Sequence, residues 1–248
     1  MGFRAGHLRF AMPASLGALK ASTLSLQLGS WLRKRLAPEL SVEMHVAQSY
    51  AGLTEDFRTG RVDVAWAPPY VCSAVEREGG RSVVQFERGG STTFRAAFVC
   101  RVDAPLQLEA LERVAVAWVA KESTSGYLLP RQHLERLGVD LTRALGAQLF
   151  AGSFAAALEA LIDGRVALTT VFASAASATP QRTGLDTLPP GLRSQLQVIG
   201  FSDESPNDSI IASANVPAPV FELLRARLIS SDEGLKAIFD ADRLVTPR

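Results

Sequence analysis

The sequence predicts an α/β protein in two lobes, on three observations. Apolar runs of strand length alternate with stretches of helical spacing in the order strand, helix, strand, helix, strand, the pattern of a parallel sheet covered by helices, and the order restarts after residue 105. A short motif recurs: Phe57-Arg58-Thr59-Gly60-Arg61-Val62-Asp63-Val64-Ala65 overlays Leu161-Ile162-Asp163-Gly164-Arg165-Val166-Ala167-Leu168-Thr169, in each case a helix end, a glycine stop, Arg-Val and a buried strand. A chance match between two helix-to-strand junctions is its rival. The chain of 248 residues also exceeds ordinary single-domain length.

Leu8 to Met12 reads as a short strand, with Pro13-Ala14-Ser15 as its exit turn. A helix from about Thr23 to Leu36 places Leu24, Leu28, Trp31, Leu32 and Leu36 on one stripe before Pro38 interrupts it. Val42, Met44 and Val46 alternate inward on a strand from Ser41 to Ala47. A helix from Tyr50 to Thr59, a stop at Gly60, a strand from Val62 to Ala67 and a helix from Tyr70 to Arg77 follow. Val83 to Phe86 and Thr92 to Cys100 are strands split by Gly89-Gly90.

In the second half, Leu106 to Leu111 reads as a short helix, Val114 to Val119 as a strand, Tyr127 to Leu137 as a helix and Gln148 to Phe150 as a strand. Phe154 to Ile162 is a helix and Val166 to Phe172 a strand. A loop rich in Ser, Ala, Thr and Gly spans about Ser174 to Gly184. Leu196 to Phe201 and Ile210 to Ser213 are strands around a Ser205-Pro206-Asn207-Asp208 turn, and helices from Val220 to Ile229 and Glu233 to Phe239 finish the chain.

Composition narrows the function classes. Apolar residues make up 47% and charged residues 21%, values of a soluble globular protein. A net charge of +1, from 26 Lys and Arg against 25 Asp and Glu, complements neither nucleic acid nor an anionic membrane, so neither is expected as a partner. No run approaches a membrane span and no secretory leader is visible, so the chain as written reads as cytoplasmic; a periplasmic chain trimmed of its leader would read the same. His7, His45 and His133 are scattered and Cys72 and Cys100 form no CxxC, so neither a metal nor a cofactor is expected. Both cysteines are read as buried and structural, with a disulfide between them left open.

The chemistry-bearing stretch is Ser123-Thr124-Ser125-Gly126, at the junction of the strand ending near Val119 and the helix beginning at Tyr127. Hydroxyl side chains there cap the helix, its first N–H groups have no helical acceptor, and the positive end of the helix dipole adds to them. Such a turn can hold an anion without arginine. An ordinary N-cap is the plainer alternative.

Four segments, in order along the chain, carry a resemblance. They are Tyr50 to Tyr70 with its Gly-Arg-Val-Asp-Val-Ala-Trp-Ala-Pro-Pro-Tyr ending; the Ser-Thr-Ser-Gly turn with Pro130 beyond it; Phe150-Ala151-Gly152-Ser153 before a helix; and Ser205-Pro206-Asn207-Asp208 before a strand. The chain resembles the substrate-binding proteins of phosphonate, phosphate and phosphite ABC transporters, of the type 2 periplasmic-binding-protein fold. The resemblance implies a two-lobed Venus flytrap, each lobe a mixed sheet flanked by helices. Lobe one would be residues 1–97 plus 204–248 and lobe two 98–203, with hinge strands near 98–102 and 200–204. It also implies an oxyanion ligand in the crevice between them, gripped by Ser123, Thr124 and Ser125 with Gly126 and Tyr127, walled by Tyr50 and Tyr70, with Ser153 at its edge; Phe154, which follows Ser153, and Asp208 are added as candidate ligand-binding residues from this chain's own sequence. The partners implied are an ABC permease or a sensor, and the chain is expected to be a monomer.

Two departures bear on the ligand. Family members usually carry His and an acidic residue after the serine matched by Ser153, where Phe154-Ala155 stand, and Ala167 replaces an acid usual after the second Gly-x-Val. A site without those carboxylates does not favour an aminoalkyl phosphonate, and Phe154 would favour an uncharged tail. The alternative function is a cytosolic biosynthetic enzyme of the menaquinone-pathway type on the same fold, acting on a carboxylate metabolite. Its candidate groups are thin: His133 lies away from the cap, Cys72 and Cys100 have no adjacent histidine, Glu122 and Asp208 are the acids near the expected cleft, and Lys121 stands beside the turn.

Overall fold

The structure is a computed structural model that describes residues 2–13, 18–230 and 233–247. The chain forms two compact units, Met1–Thr92 with Pro206–Arg248, and Thr93–Ser205.

The first unit is built on β1 (His7–Met12), β2 (Ser41–Val46), β3 (Val64–Ala67), β4 (Arg81–Glu87), and the late strands β10 (Ser209–Ala212) and β11 (Arg243–Val245), in the order β11-β4-β10-β3-β1-β2. β1 runs parallel to β2 and β3, with Phe10 beside Met44 and Val64. β10 inserts antiparallel between β3 and β4, and β11 is antiparallel to β4. Because successive strand residues face opposite ways, Leu8, Phe10 and Met12 enter one core and Ala11 the other. The first core takes Leu28, Leu32 and Leu36 of α1 (Ala18–Leu36), Leu224 of α8 (Ala218–Ile229) and Phe239 of α9 (Glu233–Phe239). On the opposite face, small Ala11, Ala65 and Ala67 meet Leu53 and Phe57 of α2 (Tyr50–Arg58) and Val71 and Val75 of α3 (Pro69–Arg77).

The second unit holds β5 (Thr93–Arg101), β6 (Val114–Trp118), β7 (Leu145–Phe150), β8 (Leu168–Ser174) and β9 (Leu196–Pro206), in the order β7-β6-β8-β5-β9. β6 is parallel to β7 and β8, and β5 is antiparallel to β8. One face packs Ala97, Ala117 and Val171 against α6 (Phe154–Ile162); the other packs Phe98, Val116, Trp118 and Leu168 against Leu134 of α4 (Leu129–Arg136). Both sheets are mixed: β1 runs parallel to β2 and β3, and β6 to β7 and β8, while β10 and β11 in the first sheet and β5 in the second pair antiparallel.

The recurring motif is the same structure twice. Gly60 and Gly164 have φ of 67° and 72°, the left-handed region that glycine adopts without penalty. Arg61 and Val62 N–H both donate to Asp56 O, and Arg165 and Val166 N–H both donate to Ala160 O. Each helix opens on a serine cap, Ser49 accepting from Gly52 N–H and Ser153 from Ala156 N–H.

Several element boundaries differ from expectation. α1 begins at Ala18 because its buried stripe extends back through Ser25 and Ala21. Ala14 and Ser15 of the expected exit turn lie outside the described residues. The helix expected at 106–111 is a single 3-10 turn, Leu108–Ala110. β7 starts at Leu145, after the short α5 (Leu141–Ala144) capped by the Asp140 carboxylate. β9 continues through Pro206, past the point where a turn was expected at Ser205, and leaves only Asn207 and Asp208 between it and β10. The helical turn α7 (Pro190–Arg193) and strand β11 had no counterpart in the sequence reading.

Candidate ligand-binding site

The chain leaves β6 at Trp118 and reaches Ser123 in an extended conformation, φ −74° and ψ 122°. Ser123 Oγ accepts a hydrogen bond from Gly126 N–H at 3.2 Å, and Ser123 O accepts from Leu128 N–H at 3.0 Å. Thr124–Leu128 wind one wide π-type turn that runs directly into α4. The helical segment therefore opens at Thr124, ahead of the expected Tyr127, because the Ser123 cap sits one turn earlier. Thr124 and Ser125 N–H stand at its start, where no preceding helical carbonyl can accept them.

The turn folds back over the end of β6, with Val119 N–H donating to Gly126 O. A Cβ on Gly126 would lie 2.6 Å from Val119 Cγ2 and 2.7 Å from Ser123 Oγ, so this residue must be glycine for steric reasons. Ser123, Thr124, Ser125 and Gly126 are all buried. The Ser123 hydroxyl is used as a cap, whereas Thr124 Oγ1 has no hydrogen-bond partner at 8% residue exposure.

Tyr127 lines the flank of the turn. Its hydroxyl accepts from Arg131 Nη1 at 2.8 Å, and its ring lies edge-on to Trp118 and against Phe150, each at 5.5 Å between centroids. Phe150 is 40% exposed and carries Lys121 Nζ 5.8 Å from its ring centre. Ala151 and Gly152 N–H donate to Trp118 and Val119 O, so the junction leading to Ser153 is pinned beside the loop that precedes the turn. Ser153 caps α6, and Phe154 is half-buried in its first turn.

The remaining expected residues belong to the first unit. Tyr50, at 9% exposure, packs with Ala47, Leu53 and Phe57 in that unit's core. Tyr70 opens α3 and is 39% exposed. Asp208 Oδ2 accepts from Trp66 Nε1 at 3.0 Å and lies 3.8 Å from Arg88 Nη2. Asn207 beside it donates from Nδ2 to Phe86 O and Ser91 O.

The groups weighed for catalysis are divided between the units, Cys72 and Asp208 in the first and Cys100, Lys121, Glu122 and His133 in the second. Burial, then Arg136, push the His133 imidazole below its ordinary value, and its ring lies 5.7 Å from that of Phe98. Cys72 and Cys100 are buried free thiols; burial raises Cys72, which donates to Ala67 O, so it is held as a thiol. Among the described residues no group of three or more His, Cys, Asp or Glu could hold a metal ion. No helix among them is long and apolar enough to cross a membrane.

Sequence reasoning missed Thr170. Its Oγ1 is buried in β8 without a partner, and a single threonine in an apolar strand gives no signal of that.

Several solved structures share the fold over nearly the whole chain. A binding-protein component of an ABC phosphonate transporter from Pseudomonas aeruginosa is 20% identical, with 98% of this chain and 82% of that chain covered and a TM-score of 0.80. PhnD1 from Prochlorococcus marinus, solved with methylphosphonate, is 15% identical over 98% of this chain and 93% of that one, with a TM-score of 0.81. A Xanthomonas citri protein solved with chloride is 20% identical over 98% and 92%, again with a TM-score of 0.81. At these identities the likeness is one of fold. No curated protein matches the chain in sequence. The family model described as "ABC transporter, phosphonate, periplasmic substrate-binding protein" matches residues 17–245. The chain thus belongs to the phosphonate ABC transporter substrate-binding family, with that family's type 2 periplasmic-binding-protein fold.

Proposed function

We propose that the chain captures a tetrahedral oxyanion of the phosphonate or phosphate class on the turn from Ser123 to Tyr127, without catalysing any change in it. The observation that carries this reading is Thr124 Oγ1, a buried hydroxyl without a partner at a helix start whose first N–H groups are also available. An anion oxygen satisfies both kinds of donor at once. Ser123 shapes the turn through its bond to Gly126, and Tyr127 with Phe150 forms an aromatic flank beside it.

The tail of the ligand is uncharged or apolar. Phe154 and Ala155 follow the Ser153 cap and provide no carboxylate for an ammonium group. In the first unit Tyr70 is 39% exposed, while Tyr50 and Asp208 are committed to packing and to Trp66. The family supports a periplasmic setting and a permease as partner.

A thermal-shift screen against phosphate, phosphite, sulfate, methylphosphonate, 2-aminoethylphosphonate and aromatic carboxylates tests the reading. Binding at a hundredfold excess over Kd stabilises by about 2.7 kcal/mol, a rise of roughly several degrees for a chain of this size. Methylphosphonate should shift Tm at least as much as 2-aminoethylphosphonate. Silence from every phosphorus oxyanion, with a shift from a carboxylate, would overturn the proposal.

A further inference from the structure

We propose that Thr170 of β8 forms the floor of the oxyanion site, its hydroxyl acting with that of Thr124 on one ligand oxygen from the side of the sheet. The assignment rests on the reading of the turn as an oxyanion site. Among the described residues, the buried side-chain polar atoms without a partner are Thr124 Oγ1, Thr170 Oγ1 and Asn207 Oδ1, and the two threonines lie in the same unit.

The strand register places Thr170 alongside Trp118, at the end of β6 over which the turn folds. β8 neighbours Thr169 and Thr170 face opposite sides; Thr169 Oγ1 donates to Ala117 O, so a threonine in this strand does find a partner where the backbone offers one. Thr170 shares its face with Leu168, which packs with Trp118 and Leu134, and stands opposite Phe98, whose ring meets His133 of α4. The pairing of Val116 with Leu168 and Ala117 with Thr169 brings Trp118 alongside Thr170. One residue beyond Trp118, Val119 is the anchor over which the 124–128 turn folds, and that turn packs against β8.

At 1% exposure, Thr170 carries a hydroxyl where valine has the same shape and avoids the cost of burying an unpaired polar group. A ligand oxygen reaching past Thr124 supplies the missing acceptor. The three oxygens of a phosphonate or phosphate head form a tripod that can meet the turn's N–H groups and the threonine hydroxyls together. A planar carboxylate, with two oxygens in one plane, meets fewer of them. Thr170 thereby contributes to selection of tetrahedral over planar anions.

The test is calorimetric titration of inorganic phosphate and methylphosphonate into the wild type and into Thr124→Val, Thr170→Val and Thr170→Ser, with thermal unfolding of each ligand-free protein. Thr170→Val should raise Kd about tenfold, the effect of losing one hydrogen bond to a charged group, while Tm stays unchanged or rises and Thr170→Ser stays within about threefold of wild type. If Thr170→Val does not fold, Thr170→Ala makes the same comparison. Wild-type affinity in Thr170→Val or Thr170→Ala, alongside weakened binding in Thr124→Val, overturns the floor assignment alone. No binding of either anion by the wild type overturns the oxyanion reading and this assignment with it.

Discussion

Asp208 accepts the indole N–H of Trp66, with 3.0 Å between Oδ2 and Nε1, and the two residues are 142 positions apart in the chain. The bond ties the connection into β10 to the middle of β3, beside the cluster of Trp66, Phe86 and Phe239 rings. Asp208→Ala leaves a buried indole N–H unpaired and Arg88 without its carboxylate, at a cost of about 1–3 kcal/mol. Thermal unfolding should register a drop of roughly several degrees, with Asp208→Asn, which keeps a carbonyl acceptor, falling less. An unchanged Tm in Asp208→Ala would show that the bond does not hold the connection.

On the proposed function, the turn separates residues that shape it from residues that bind. Ser123→Ala removes the cap on Gly126 N–H and should cost about 1 kcal/mol of stability. Gly126→Ala drives a methyl group into Val119 and should cost more, lowering both Tm and affinity. Thr124→Val should lower affinity with no loss of Tm. Parallel losses of stability in all three variants would contradict the division.

Asp63 is held by Arg9 through three contacts: Arg9 N–H to Oδ2 at 2.9 Å, Nε to Oδ2 at 2.9 Å and Nη2 to Oδ1 at 2.6 Å. The carboxylate is buried and the guanidinium largely so, and Arg9 also donates to Gly60 O. Asp63→Ala strands the arginine, and breaking such a pair costs about 3–5 kcal/mol. The double variant Arg9→Met/Asp63→Leu should recover most of the loss in urea unfolding, since neither charge is then buried alone. A double variant as unstable as Asp63→Ala would contradict this.

How much of this was legible in the sequence depends on the range of the interaction. Local patterns were readable: the stripe Leu28, Leu32, Leu36, the alternation of Val42, Met44 and Val46, and the glycine stops at Gly60 and Gly164, because each is decided within a helix turn or a strand pleat. Pairing was not. β10 follows the entire second unit and then inserts antiparallel between β3 and β4, and no feature of Ser209–Ala212 specifies those neighbours. The site divides the same way. Hydroxyls at a helix start were visible in Ser123-Thr124-Ser125, but the commitment of Ser123 to Gly126, the burial of Tyr50 and the orientation of Thr170 emerge only from packing.

His133 makes stability depend on pH near neutrality. Burial, then Arg136, lower its value, with Asp203 and Glu109 pulling the other way. The unfolded chain therefore takes up this proton first, so the contribution is complete above about pH 6.5 and is lost as pH falls from there through the folded value. Asp186 is lowered chiefly by Thr183 N–H, and Glu204 chiefly by the Thr93 hydroxyl and then Ala176 N–H; stability from these two is present above the unfolded carboxylate value and is lost at more acid pH, below about 4. His133→Leu should flatten the melting-temperature profile between about pH 7 and pH 5 and leave the steeper acid limb in place. A wild-type slope in that variant would assign the effect elsewhere.

The most direct measurement of the central claim is calorimetric titration of methylphosphonate into the wild type and Thr124→Val under identical conditions. The account predicts saturable one-to-one binding by the wild type, and a Kd raised about tenfold in a variant whose melting temperature is not lowered. Equal affinity in the two proteins would contradict it, because the ligand would then be held somewhere other than the turn that begins at Ser123.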